Sequence, residues 1–428
     1  MIAMLETIKK ALADAGVSVW AIEDIHTHSA ELYFIRRGLD TRRMKDTQKY
    51  NVRVYRDFEK DGKPMRGMSS VSFVPTESPE AVAQGIRDAY FAASFVENPA
   101  YPLPGKQVHE PIPAKGSLAD ISAEDAALKM AEALFAADTD GRAFVNSAEI
   151  FASQVQIRLL TDCGTDVSYA KNTVSGEFVA QCKEPLDVEL YQDFQYDQLD
   201  TEALTDKVRT TLKEAADRTA AEPCLATDTF DVLLTGDHVR EILSYYVSRA
   251  SARMVFPGYS TWKKDDQVQA DAITGEALSL TLKATTPYSG EGIPMVDRPL
   301  LREGRLQTYH GDARFSAYLG VEPTGDYGSF ICENGSVPME EMQKAPCLCP
   351  VAFSDFQMDS FSGHFGGEIR LAYWFDGRET RIVTGGSING SILDCGGNMV
   401  FSQEKYKSLS YEGPKAVLLR GVSVAGSE

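Results

Sequence analysis

Leu5, Ile8 and Leu12 fall at helical spacing, and Gly16 stands where that helix would end. The period then changes to two. Runs from Ala30 to Arg36, Tyr50 to Phe58 and Gly67 to Val74 predict strands. Val52, Val54 and Phe58 mix with Arg53, Arg56 and Asp57, the pattern of an antiparallel sheet with one solvated face. Ser78-Pro79-Glu80 opens a helix of roughly twenty residues, with Ser78 as N-cap and Pro79 at the first helical position.

Five prolines (Pro99, Pro102, Pro104, Pro111, Pro113) crowd the next stretch and predict a linker. An alanine-rich helix opened by Ser122 follows, then strands at Ala148 to Leu160, Val167 to Asn172 and Glu177 to Gln181, and a helix from Glu202 to Ala220. Beyond Phe230 the text changes again. Asp231 to Leu234 predicts a strand and His238 to Ala252 a helix. Short strands then dominate: Ala277 to Ala284, Gly367 to Asp376, Glu379 to Thr384 and Ala416 to Val424. Such a run argues for a sandwich or barrel-like domain. The expected class is α+β, with an N-terminal α+β domain over 1–110, a middle one over 111–225 and a β-rich domain over 226–428.

The chain of 428 residues is too long for one compact core. No apolar run reaches the roughly 18 residues a membrane helix needs, and Met1 to Gly16 lacks the apolar region of a signal peptide. A cytoplasmic protein, away from membranes, is expected. The net charge of -19 repels nucleic acid. The one basic cluster, Arg36-Arg37 with Arg42-Arg43 and Lys45, is explained by a solvated face. Seven cysteines at irregular spacing do not form a disulfide framework. Cys347 and Cys349 have one residue between them, where zinc knuckles use two to four.

Several segments together resemble the TldD/PmbA peptidase family. Ser289-Gly290-Glu291-Gly292-Ile293-Pro294, followed by Leu301-Arg302-Glu303-Gly304-Arg305-Leu306, is similar to the family's EGxP segment and its sequel. Ser316-Ala317 with Leu319-Gly320, then Pro323-Thr324-Gly325, resembles the continuation. Ala30 to Tyr33 and Arg53-Val54-Tyr55 resemble its N-terminal strands. The resemblance implies cytoplasmic, dimeric proteins that cleave small or unfolded peptides, in some members during maturation of a peptide antibiotic. The label of DNA gyrase modulator also attaches to the family.

In its catalytic members, the resemblance implies HExxxH on a helix plus a cysteine near the C-terminus. Two imidazoles and a thiolate hold zinc, and the glutamate serves as general base. Here the matching helix is Glu241 to Arg249. Ser244 and Tyr245 occupy the His-Glu positions and Arg249 that of the second histidine. A guanidinium cannot ligate zinc and repels it. Cys395 matches the ligand cysteine, and His364, in the glycine-rich Ser362 to Gly367, is the nearest candidate for a substitute ligand.

Other chemistries fit less well. His26-Thr27-His28 with Asp24 resembles the first metal motif of amidohydrolases, but that reading needs repeated strand-helix units, and two polar loop residues before a strand explain it. His109, His238 and His310 suit structural or solvated roles. The glycines at Gly385-Gly386 and Gly363 to Gly367 lack the lysine-serine end of a phosphate loop, and tight turns account for them. Gly386-Ser387 misses the spacing of a nucleophile elbow. Tyr245-Tyr246, Tyr373-Trp374-Phe375 and Tyr191 to Tyr196 could line a peptide groove, but suit a core better, with a subset at a dimer interface. The expectation is a zinc-less peptide-binding or partner subunit without a cofactor. It would pair with itself or with an HExxxH-bearing relative and bind small or unfolded peptides. The alternative is an active metal hydrolase with relocated ligands.

Overall fold

The computed structural model describes residues 2–139, 141–333 and 335–426. Helix α1 (Ile2–Asp14) precedes three long strands, β1 (Val19–Ile35), β2 (Gly38–Lys60) and β3 (Lys63–Phe73), and then α2 (Pro79–Ala93). After the proline-rich segment come α3 (Ala123–Ala136), β4 (Ala143–Thr161), β5 (Asp166–Cys182), β6 (Val188–Tyr196) and α4 (Thr201–Arg218). The six strands form one antiparallel sheet in the order β3-β2-β1-β4-β5-β6. β1 pairs β4 from Ala21↔Thr161 to Ile35↔Ser147, so strands on both sides of the proline-rich segment share a sheet.

Parity places the core, because alternate side chains of a strand share a face. Ile22 of β1, with Tyr50, Val52 and Val54 of β2, is buried under α1 and α2. Ala30 and Leu32 of β1, with Ile150 and Phe178, are buried under α3 and α4. The helix starts follow their caps. Ser78 accepts the Ala81 N–H at 3.2 Å, and Ser122 that of Asp125 at 3.0 Å.

The rest of the chain is the β-rich region expected of it. Its elements are β7 (Glu222–Pro223), β8 (Asp228–Thr235), α5 (Asp237–Arg249), α6 (Ala252–Val255), β9 (Leu280–Leu282), β10 (Arg298–Arg302), β11 (Arg305–Leu306), α7 (Ala313–Leu319), β12 (Phe330–Cys332) and α8 (Met339–Met342). They continue with β13 (Cys347–Met358), β14 (His364–Phe375), β15 (Thr380–Thr384), β16 (Ser387–Ser391), α9 (Ile392–Cys395), β17 (Val400–Phe401), β18 (Lys405–Lys407), β19 (Tyr411–Pro414) and β20 (Ala416–Ala425). The large sheet runs β13-β8-β20-β16-β14, and β13 also pairs β14, which closes it into a barrel. A smaller sheet runs β11-β10-β9-β12-β19-β18. Between them lies α5, whose Ile242, Leu243 and Tyr246 share a core with Leu348 and Phe365 of the barrel and Leu280 and Phe330 of the smaller sheet. The fold is α+β. Among the described residues, no helix is long and apolar enough to cross a membrane.

The turn at Gly290 to Gly292 meets the N-terminal sheet. Arg53 donates to the Gly290 carbonyl, and a Cβ at Gly292 would lie 3.0 Å from Leu159.

Several local expectations are corrected. His26 and His28 lie inside β1 rather than in a loop before it. Residues 167–181 form part of one strand, β5, not two. Gly366 and Gly367 are strand residues of β14, and Cys347-Leu348-Cys349-Pro350 begins β13. The helix after Ser78 ends at Ala93, about a turn sooner than expected.

Candidate functional site

The family-motif helix α5 is packed on most of its circumference, which follows from its apolar Val239, Ile242, Leu243, Tyr246 and Val247, all buried. Ser244 spends its hydroxyl on its own helix, donating to the Glu241 carbonyl at 2.6 Å. Tyr245 is 3% exposed, and burial raises its phenol above the usual value although Arg249 works against that shift. A phenol so placed stays protonated at neutral pH and is no general base.

Arg249 is held from three sides. Its guanidinium carbon lies 5.8 Å from the centre of the Tyr245 ring and 5.7 Å from that of Trp262. Nη1 donates to the carbonyl of Tyr259 and, at 3.4 Å, to that of Phe361. It thereby ties the end of α5 to two loops. Tyr259 and Phe361 stack edge to face at 5.2 Å, and both are largely exposed, at 57% and 61%. Sequence reasoning missed these partners. Arg249 and Phe361 are 112 residues apart and no motif links them; the aromatic loop Tyr259 to Trp262 was the available signal.

Phe361 also lines a cavity of about 620 Å³ with Asp359, His364 and Asn389. His364 is exposed, opposite Ser391 in the β14–β16 register. Cys395 ends α9 and is 3% exposed. Burial pushes its thiol up to about 12, the neutral form that does not bind metal. The buried Tyr246 phenol is its neighbour, for a Cβ at Gly396 would meet the Tyr246 hydroxyl at 2.8 Å. The fold thus brings Tyr245, Arg249 and the loop before His364 together, while Cys395 faces the core. Among the described residues, no three His, Cys, Asp or Glu side chains are grouped to hold a metal ion. A guanidinium, a phenol, a helix-bonded hydroxyl and a neutral thiol do not fit zinc.

The remaining candidates fall into supporting roles. His238 packs edge to face against the rings of Phe353 and Phe356, and burial lowers its pKa to about 4. His310 is buried with Nε2 2.9 Å from the Val247 carbonyl and Nδ1 3.4 Å from the Tyr327 N–H. That pairing puts the proton on Nε2. His109 stacks on Tyr288. Cys347 and Cys349 are buried on one side of β13. The basic cluster is paired: Arg42 with Glu124, Arg43 and Lys45 with Glu31, Arg37 with Asp138, while Arg36 covers Phe144.

An α+β sheet joined to a closed barrel and a smaller sheet, with α5 packed between those two and its Arg249 guanidinium tying two loops, defines the architecture. Residues 227–426 match the family model described as the PmbA/TldA metallopeptidase C-terminal domain. That match covers the β-rich region, and solved structures of low identity share the fold of the chain as a whole. A Thermotoga maritima protein that carries the name of a DNA gyrase modulator is similar in structure, with a TM-score of 0.77, 18% identity, and 99% of this chain and 100% of that one covered. TldE from Thermococcus kodakarensis gives 0.75 at 15% identity, covering 98% and 100%. A Bacteroides thetaiotaomicron protein, also named for gyrase modulation, gives 0.72 at 14%, covering 99% and 98%. No curated protein matches in sequence.

Proposed function

We propose that this chain is a non-catalytic, zinc-less subunit linked to the proteolysis of small or unfolded peptides in the cytoplasm. It binds peptide, and it pairs with a second copy of itself or with an HExxxH-bearing relative. The observation that carries this reading is Arg249. Its guanidinium holds two loop carbonyls at the position where the family resemblance implies a zinc-binding imidazole. Amide hydrolysis needs an activated water, a base for its proton and stabilisation of the oxyanion. Ser244 and Tyr245 supply neither base nor metal. The cavity beside Phe361 and the exposed rings of Tyr259 and Phe361 offer a surface for an extended chain or a partner.

The test is a peptide-release assay on the purified protein, alone and mixed with an HExxxH-bearing relative, with zinc and then with chelator. Binding without cleavage by the protein alone, and chelator-sensitive cleavage only in the mixture, is the expected result. Chelator-sensitive turnover by the protein alone would overturn the proposal.

A further inference from the structure

Along one face of β1 the side chains run Ile22, Asp24, His26, His28, Ala30, Leu32. Polar positions separate two apolar ends. The apolar ends lie under the helix pairs α1–α2 and α3–α4, and the polar stretch lies between those pairs. Neighbouring strands continue it, with Gln48 of β2 and Gln156 of β4 both opposite His26, and Arg158 opposite Asp24. The result is a cleft of about 650 Å³ across the sheet, walled by Leu5 of α1 and by residues 111–114. That volume lies within the range of about 300–1,000 Å³ typical of small-molecule sites. The proline-rich wall is fixed in place: Ile112 donates to the Ser168 carbonyl and accepts from the Ala170 N–H, each at 2.9 Å.

Charge selects the ligand. Arg158 is committed to Asp166 through two bonds of 2.8 and 2.7 Å, and His26 Nε2 lies 2.5 Å from Asp46. Asp24 differs. Its Oδ1 accepts from the Gln48 amide at 2.7 Å, and among the described residues it forms no ion pair. Asp24 and Arg158 line the cleft, Asp46 and Asp166 stand against His26 and Arg158, and Lys9 acts on Asp166, in a chain of net charge -19. An anion would have to displace Asp166 from Arg158. A cation meets a carboxylate with an open oxygen, and the side-chain oxygens of Gln48 and Gln156 lie on the same face.

We propose that this cleft binds a ligand bearing a primary ammonium group on an apolar body. The ammonium docks on Asp24 with Gln48 and Gln156, and the body lies along Leu5, Pro111 and Pro113. This site is separate from the motif helix and stands whether or not the protein acts in proteolysis. The amino terminus of a short peptide and a free alkylamine share this chemistry.

The probes are a leucine-alanine-alanine amide with a free amino terminus, its N-acetylated twin and butylamine, titrated calorimetrically into the full-length protein. Expected is saturable binding of a free-amine probe that weakens about tenfold or more in Asp24→Asn, whose circular dichroism and melting temperature match the parent. Saturation by the free peptide, with the acetylated twin about tenfold weaker, identifies a peptide terminus. Saturation by butylamine and not by the peptide identifies a free amine. The acetylated twin requires no variant, so the comparison holds even if Asp24→Asn does not fold. Saturable binding of both peptides with equal affinity, unchanged binding in Asp24→Asn, or no saturation by either free amine at millimolar concentration would overturn the proposal.

Discussion

Glu291 Oε2 accepts the backbone N–H of Ala313 at 2.8 Å. Ala313 is the first residue of α7, where an amide has no acceptor inside its own helix. Asp312 caps the same helix by accepting the Phe315 N–H at 2.7 Å. The bond therefore joins the two segments that carry the family resemblance, the Glu291-Gly292-Ile293-Pro294 turn and the helix containing Ser316-Ala317. Their shared pattern is accounted for by architecture.

Glu291→Ala should destabilise the protein by about 1–3 kcal/mol, the cost of leaving a buried donor unpaired. Glu291→Gln keeps a carbonyl acceptor and should lose much less. Urea unfolding of the two variants side by side checks this, and equal losses would show that the bond to Ala313 does not matter.

Arg249→Met should keep the bulk packed against Tyr245 and Trp262 but release the Tyr259 and Phe361 carbonyls. Hydrogen exchange should then quicken in residues 256–262 and 359–363 and remain unchanged in β1 and β4. Exchange that stays slow in both loops would remove Arg249 as their tie.

How much of this was legible depended on where burial and pattern agree. The helices opened by Ser78 and Ser122 were readable because cap, proline and apolar period point the same way. The first half of β2 was not, since Gly38 to Lys45 is exposed on both faces and carries Asp40, Arg42, Arg43 and Lys45 with no alternation to detect. β13 was hidden by Pro346 and Pro350, residues that ordinarily mark strand ends or edges. At the candidate site, local sequence pointed to Arg249 and Cys395. It gave no access to the carbonyls that Arg249 holds, which are brought in by the tertiary fold, or to the core that Cys395 faces. The cleft over β1 was half visible as Asp24 and His26. Its other side, Gln156 and Arg158, depends on the β1–β4 register, a long-range pairing that no local pattern encodes.

Glu214, on α4, lies close enough to Cys349 and Tyr373 of the barrel for its charge to act on both. Burial raises its carboxyl from 4.5 to about 7, with Asp217 adding to the shift and Lys213 opposing it. Between those values the folded protein holds a proton that the unfolded chain has released. Its contribution to stability therefore falls as pH rises from about 4.5 to about 7. Glu214→Gln should flatten that part of the stability–pH curve, measured as denaturant midpoint from pH 5 to pH 8. A slope identical to the parent would place the effect elsewhere.

All seven cysteines are free in the structure, and only Cys163 is exposed. Cys163 sits in the β4–β5 turn, where the Thr161 hydroxyl, 3.1 Å away, lowers its thiol below the usual value, opposed by partial burial. The other six, including Cys395, are buried, so an alkylating reagent reaches them only after local opening. With an opening free energy of about 3 kcal/mol or more, they should react at least about a hundredfold more slowly. Alkylation of the native protein at neutral pH should show one fast thiol, which Cys163→Ser removes. Denaturation without reductant should expose six more in the parent. Fewer than seven in total would reveal a disulfide. A second fast thiol mapped to Cys395 would matter more, because an open, ionisable thiol there would restore a metal ligand beside α5 and weaken the case against zinc.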